Sequence, residues 1–256
     1  MNVQAACSEV ARNFSHAATQ YDDIAHIQQR IASHAMQLLP LSSGHLLDVG
    51  CGTGKNTAQL DKMGFTAQGI DIAPGMVQVA QERYPELVFS VGDAQHLPFC
   101  DASFDCIFSS MALQWCSNSD TVMDQINRVL VPGGTAALSI MVDGSFTQLN
   151  QSRQRCGLAV TTNLMASFTE WVNAAHKAGF TVRLAGCEEY VDEFNDILGL
   201  LRSIKAVGAG ARSGAVTVNT LTRQDLRALN QAYQKYLTPS GKLPLTYRIA
   251  HLTLEK

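Results

Sequence analysis

Residues 46–54 read LLDVGCGTG, a short apolar run that ends in three glycines, Gly50, Gly52 and Gly54, at every second position. Glycines so placed let the chain turn tightly and let a ligand reach the backbone where a Cβ would collide. Asp71 stands 21 residues beyond Gly50, at the end of the next apolar run, Ala67–Ile72. An acid there takes the ribose hydroxyls of a bound nucleoside. A dinucleotide loop would need glycine at residue 55, which is Lys55. A Walker loop would need glycine at Val49 and a hydroxyl at Asn56. Neither phosphate-binding pattern fits. The spacing suits a nucleoside that carries a zwitterionic amino acid, and the competing plain reading is a glycine-rich turn without a ligand.

These residues need a scaffold, and the sequence around them supplies one. Short apolar runs at Leu46–Val49, Ala67–Ile72, Val88–Val91, Phe104–Phe108 and Ala136–Val142 alternate with stretches of helical spacing. Pro74 suits a first helical turn, and Pro132-Gly133-Gly134 stops the helix through Val122, Ile126 and Val129. Apolar rather than alternating strands argue a parallel sheet covered on both faces, an α/β doubly wound fold. Ligands in such sheets bind beyond the carboxyl ends of the strands. Residues 1–40 read as a helical cap, with Ile24, Ile27, Ile31, Ala35 and Leu38 at helical steps. Residues 41–256 read as the main domain, with helical insertions at about 143–165 and 192–240 that serve as a lid. Phe180–Tyr190 reads as a strand, and Leu245–Ala250 as a last, antiparallel one. Gly208–Gly214 is a flexible break.

Composition narrows the class. The chain of 256 residues is 46% hydrophobic and 16% charged, enough for a large core and too apolar for disorder. A net charge of −3 excludes a broadly basic nucleic-acid binder. Neither a secretory leader nor an apolar run of membrane-spanning length is apparent, so a soluble, cytoplasmic protein is expected. The seven cysteines show no paired metal spacing, and no metal site is expected. His26, His34, His45, His96, His176 and His251 lack acids at suggestive spacing.

LDVGCGTG, GIDIAPGM, GDAQHLPF and VLVPGG, in this order and spacing, resemble class I S-adenosylmethionine-dependent methyltransferases. The resemblance implies a mostly parallel seven-stranded sheet with a helical lid, and S-adenosyl-L-methionine as cofactor. It places Gly50, Cys51 and Gly52 at the methionine portion, with Asp48 holding the loop or the amino group. Asp71 would take the ribose diol, Ile72 and Met76 would lie against the adenine, and Asp93 and Ala94 would reach its edge. Ser109 and Ser110 would lie near the reactive methyl. The plainer alternatives are helix caps for Asp48 and Asp93, a core residue for Met76 on spacing alone, and a structural hydrogen-bonding group for Asp105.

The acceptor is read from other segments. Ser109-Ser110-Met111-Ala112 lacks the Pro-Pro-aromatic sequence of methyltransferases that act on base amino groups. Phe14–Tyr21 resembles the entry of small-molecule methyltransferases of quinone and biotin synthesis, and Leu113–Cys116, Leu201–Ala209 and Pro244–Tyr247 more narrowly resemble the malonyl-acyl-carrier-protein O-methyltransferases of biotin synthesis. The stretch from Gly144 departs from that family at Gln148 and Arg153, and Thr161–Leu164 follows it only loosely. The resemblance implies a malonyl thioester on acyl carrier protein as partner, whose carboxylate is already ionised and needs no base. Tyr21 and Gln114 would orient it, with Trp115 as a wall. Arg202 and Lys205, at i and i+3, with Arg212, would meet the acidic carrier. Other small acceptors, a quinone ring or a free acid, and a non-catalytic cofactor-binding protein are the alternatives.

Overall fold

The structure is a computed structural model that describes residues 3–160, 165–206 and 221–256, with side chains from Glu9 onward. The chain begins with α1 (Val3–Ala17), a 3-10 turn at Ala18–Gln20, α2 (Tyr21–Ile24) and α3 (His26–Gln37). The continuous helical periodicity of 1–40 is therefore broken. Ala25 adopts the non-helical φ −86°, ψ 42° and separates α2 from α3. Then follow β1 (Gly44–Val49), α4 (Lys55–Lys62), β2 (Phe65–Asp71), α5 (Pro74–Arg83), β3 (Val88–Val91), β4 (Phe104–Ser110), α6 (Ser119–Val129) and β5 (Leu130–Met141). The remainder is α7 (Thr147–Arg155), α8 (Phe168–Lys177), β6 (Thr181–Phe194), α9 (Ile197–Ala206), α10 (Arg223–Tyr233) and β7 (Leu243–Glu255).

The seven strands form one sheet in the order β3-β2-β1-β4-β5-β7-β6, parallel except for β7, which runs antiparallel to both neighbours. Period-two alternation sends Leu47, Ile107, Ala136 and Leu138 to one face under α6 and α8. It sends Leu46, Cys106, Phe108 and Ala137 to the other face under α3 and α4. Both faces are thus buried, which is why these strands read as unbroken apolar runs. Local signals fix the helix starts. Asn118 accepts the Thr121 N–H at 3.1 Å ahead of α6, and Ser167 with Glu170 forms a capping box on α8.

β6 extends to Phe194, four residues beyond the strand expected from sequence, because it pairs with β7 throughout while much of its outer face is polar and exposed. The helical stretch from 192 accordingly starts only at Ile197. A third apolar cluster joins α3, α7, α9 and α10 to β7 through Ile31, Leu149, Leu200, Leu229, Tyr233 and Leu245. It gives the carboxyl end of the sheet a helical wall. Strand order reverses between β1 and β4, so the crevice for a ligand opens where those two strands end. Thr161–Leu164, the Gly208–Gly214 break and Arg212 lie outside the described residues. Among the described residues no helix is long and apolar enough to cross a membrane.

Candidate active site

A cleft opens beyond β1, β2 and β4. Its floor is the glycine loop. Gly50 has φ +79°, and a Cβ there would sit 2.1 Å from that of Ala112. Gly52, at φ +53°, would direct its Cβ into open space. The first glycine is needed for packing, and the second leaves the backbone accessible to a ligand. The N–H groups of Gly50 and Cys51 both donate to the Ile70 carbonyl, at 2.7 and 3.0 Å, which ties the loop to β2.

Asp71 ends β2 in this cleft and accepts N–H bonds from Gly52 at 2.9 Å and from Ala73 at 2.8 Å. Enclosure raises its pKa against those donors. Ile72, Met76, Gly92, Asp93 and Ala94 line the far side of the cleft. Asp93 is not a helix cap: its carboxylate accepts the Gln95 N–H at 2.9 Å and shapes the turn after β3. The Ser110 hydroxyl, at the end of β4, is buried without a partner.

A second, smaller pocket continues from the first and shares Phe14, Tyr21, Met111 and Trp115 with it. Gln28, Gln114, Met141, Phe146, Ile204 and Tyr247 complete its lining among the described residues. None of these residues carries a charge. Phe14 meets Trp115 edge-on at 5.6 Å and Tyr21 at 6.4 Å, so the three rings form the partition between the pockets. The Gln114 amide donates to the Met111 carbonyl at 2.7 Å. The indole N–H of Trp115 and the side-chain oxygens of Gln28 and Gln114 are buried without partners. Burial, with Asp71 and Asp22 nearby, raises the Tyr21 pKa well above its ordinary value, so this phenol keeps its proton.

A family described as "Methyltransferase domain" matches residues 47–138, the stretch that builds this cleft. The "Malonyl-[acyl-carrier protein] O-methyltransferase" of Herminiimonas arsenicoxydans is 33% identical over 251 residues, which are 97% of this chain and 95% of that protein. The chain belongs to the malonyl-acyl-carrier-protein O-methyltransferase family. The "Biotin biosynthesis bifunctional protein BioHC" of Cellvibrio japonicus is 34% identical over 96% of this chain. This chain spans about half the length of such bifunctional relatives, 50% in that case. The methyltransferase that pairs with the Trm112 activator in Haloferax volcanii shares the fold, with TM-score 0.60, 21% identity and coverage of 95% of this chain and 96% of its own.

The family is one of methyltransferases that use S-adenosylmethionine. The cleft suits such a group: it combines the open backbone at Gly52, the Asp71 carboxylate and the unpartnered Ser110 hydroxyl. The structure brings Gly50, Gly52, Asp71, Ile72, Met76, Asp93, Ala94 and Ser110 to one cleft, with Tyr21 and Trp115 shared between it and the second pocket and Gln114 in the second.

Three of the residues that the resemblance associated with the cofactor turn their side chains out of the cleft, Asp48 in the loop-holding role that was one of its two expected ones. The Asp48 side chain lies beneath the loop, 1% exposed, and accepts a hydrogen bond from Thr57 at 2.7 Å. The Cys51 thiol packs with Val77, Ala80 and Phe89 behind the loop. Ser109 donates to the Val49 carbonyl at 2.7 Å inside the sheet. In each case strand or loop parity turns the side chain away from the cleft, as the alternation of Ser109 and Ser110 shows. Asp105 has the structural role, accepting the His45 N–H at 2.8 Å. Arg202 and Lys205 are exposed on α9, whose Ile204 lines the second pocket. Gln148 donates to Thr246 at 2.6 Å, and Arg153 is buried with its Nε on the Ala159 carbonyl at 2.6 Å. Sequence reasoning missed Gln28, Met141, Phe146 and Tyr247 as pocket residues. They come from four separate segments that only the tertiary fold assembles.

Proposed function

We propose that this methyltransferase esterifies the free carboxylate of a malonyl thioester carried on acyl carrier protein, forming the methyl ester that primes pimelate assembly for biotin. The observation that carries this reading is the uncharged lining of the second pocket. A phenol or an amine has to lose a proton on the way to product, and among the described residues this pocket offers no ionised base to take it. A carboxylate is ionised already and needs only orientation. The names of the relatives over nearly the whole chain support the same substrate.

S-adenosylmethionine supplies an electrophilic, positively charged methyl donor. Gly50, Gly52 and Ser110 would hold its amino-acid end, Asp71 its ribose diol, and Ile72, Met76, Asp93 and Ala94 its adenine. Asp48 serves indirectly, by fixing the loop. Tyr21 and Trp115 would each give one neutral hydrogen bond to the acceptor carboxylate from the partition between the pockets, and Gln114 would hold the thioester side. Neutral donors orient the carboxylate without the grip of an ion pair, which would stabilise reactant over transition state. The apolar walls favour a displacement in which opposite charges cancel, since separated charges are poorly solvated there. Residues 1–40 act as the cap, α7, α9 and α10 act as the lid, and Arg202 and Lys205, with Arg212 outside the described residues, receive the acidic carrier. The free thiols of Cys51, Cys100, Cys106, Cys156 and Cys187 suit a cytoplasmic location.

Mass spectrometry of malonyl-carrier protein incubated with the enzyme and methyl-labelled cofactor tests the reading. The expected result is one labelled methyl group on the carrier-bound acid. Methylation of a quinol or a free fatty acid in place of the carrier overturns it, and so does a failure to methylate any acceptor.

A further inference from the structure

On the opposite side of α3 from the acceptor pocket, the fold assembles three side chains that are far apart in sequence. His34 lies on α3, Glu188 on β6 and His251 on β7. One ligand atom from each, two ring nitrogens and a carboxylate oxygen, lies within 4.8 Å of the others. The His34 Nδ1 to Glu188 Oε2 separation is 3.4 Å. Ligand atoms about 2.1 Å from a tetrahedral ion are separated by about that distance.

The surroundings are those of a built site. His251 is buried, and its Nδ1 is 2.7 Å from Ser139 Oγ, which leaves Nε2 to face the cluster. Such a partner on the second ring nitrogen fixes tautomer and ring orientation for a metal ligand. The Tyr190 hydroxyl sits between the three groups, 2.6 Å from His34 Nδ1, 2.9 Å from His251 Nε2 and 3.3 Å from the Glu188 carboxylate. A groove along α3, lined by His26, Gln29, Arg30, Ser33, Gln37 and the two cluster residues His34 and Tyr190, gives the cluster access to solvent.

From this geometry we propose that His34, Glu188 and His251 bind a divalent transition-metal ion, with zinc the best match to two imidazoles and one carboxylate, and that the ion clamps α3 to the β6–β7 edge of the sheet. Nitrogen and oxygen ligands in this ratio suit zinc, and they exclude magnesium or calcium as preferred ions. The fourth position falls to the Tyr190 oxygen or to water from the groove. α3 also carries Gln28 into the acceptor pocket, so the clamp fixes the cap residue that faces the substrate. The site is independent of which acceptor the enzyme methylates.

Chelator-treated full-length protein, titrated with Zn²⁺ against a chromophoric chelator and with Co²⁺ by absorption spectroscopy, tests the assignment. The variants are His34→Ala and Glu188→Gln. Both residues reach solvent and can be changed without opening the core. One ion per chain is expected, with visible Co²⁺ bands of tetrahedral or five-coordinate character, a higher melting temperature with Zn²⁺, and at least tenfold weaker binding in each variant. Three results overturn the proposal. One is Zn²⁺ binding that neither substitution weakens. A second is a near-ultraviolet sulfur-to-cobalt band, which would place the ion on the thiols. Absence of binding altogether leaves the cluster as a hydrogen-bonded relay and also overturns it.

Discussion

The Asp22 carboxylate, on the short helix α2, accepts the Thr53 hydroxyl hydrogen bond at 2.9 Å and so ties the N-terminal cap to the middle of the glycine loop. Arg83, at the end of α5, pairs with the same carboxylate. One side chain thus joins cap, loop and the helix beside the adenine end of the cleft. Ser15 adds a second tie by accepting the Gly75 N–H at 3.0 Å.

Asp22→Ala should therefore loosen the cap over the cofactor without unfolding the sheet. Hydrogen bonds to a charged group are worth about 1.5–3 kcal/mol, and partial exposure reduces that here, so a loss of about tenfold in cofactor affinity is expected. Calorimetric titration with S-adenosylhomocysteine reads it directly. Unchanged affinity, with unchanged amide exchange in residues 9–24, would mean that the cap contributes nothing to holding the cofactor.

Much of this arrangement was legible in the sequence, and the limits have physical causes. The β1–loop–α4 unit with Asp71 was readable because a backbone turn and an acid at fixed spacing are local requirements. β3 falls on Val88–Val91 as expected. The parity of β4 could also have been read: Ser109 and Ser110 are adjacent, so only one can face the cleft. The break at Ala25 was hidden because the apolar period of Ile24, Ile27 and Ile31 continues across it. Of the acceptor pocket only Tyr21, Gln114 and Trp115 were readable, through the family resemblance, and the His34–Glu188–His251 cluster was not readable at all. Their residues meet through sheet registers such as Glu188↔Ile249 and Gly186↔His251, which no linear spacing encodes.

Trp115→Phe isolates the indole N–H. The phenyl ring keeps the edge contact to Phe14 and the wall between the pockets, but it has no donor. A neutral hydrogen bond to a carboxylate is worth about 1.5–3 kcal/mol, so kcat/KM for the malonyl acceptor should fall at least tenfold while cofactor affinity stays within about twofold. Steady-state kinetics beside cofactor titration separates the two. Equal kcat/KM for both proteins would reduce Trp115 to a wall.

Arg202→Glu and Lys205→Glu address the carrier. Both side chains are exposed on α9 and reach neither pocket, so cofactor binding and folding should be unchanged. Exposed charges act through encounter and are screened by salt. KM for malonyl-carrier protein should rise several-fold at low salt, and the difference should shrink at high salt. KM for a short malonyl thioester without carrier or phosphate should not move. An equal rise for both substrates would put the effect inside the pocket and remove the docking role.

The buried pair under the glycine loop gives the chain a pH signature. Burial, with Asp71 adding its negative charge, holds the Asp48 carboxyl up at about 7, against the Thr57 hydrogen bond that pulls it down. In the unfolded chain the same carboxyl ionises near about 3.9. Between those values the folded protein keeps a proton that the unfolded chain has released. The contribution is whole below the unfolded pKa and is lost as pH rises through the folded one. Asp48→Asn keeps the shape and still accepts from Thr57, but it cannot titrate. In cofactor-free denaturant melts, wild-type stability should therefore decline relative to Asp48→Asn between about pH 4 and about pH 7, by on the order of a few kcal/mol, and the curves should run parallel above that range. Curves that are parallel throughout would mean that Asp48 is ionised at neutral pH in the folded protein, with the glycine loop held by a charged acceptor.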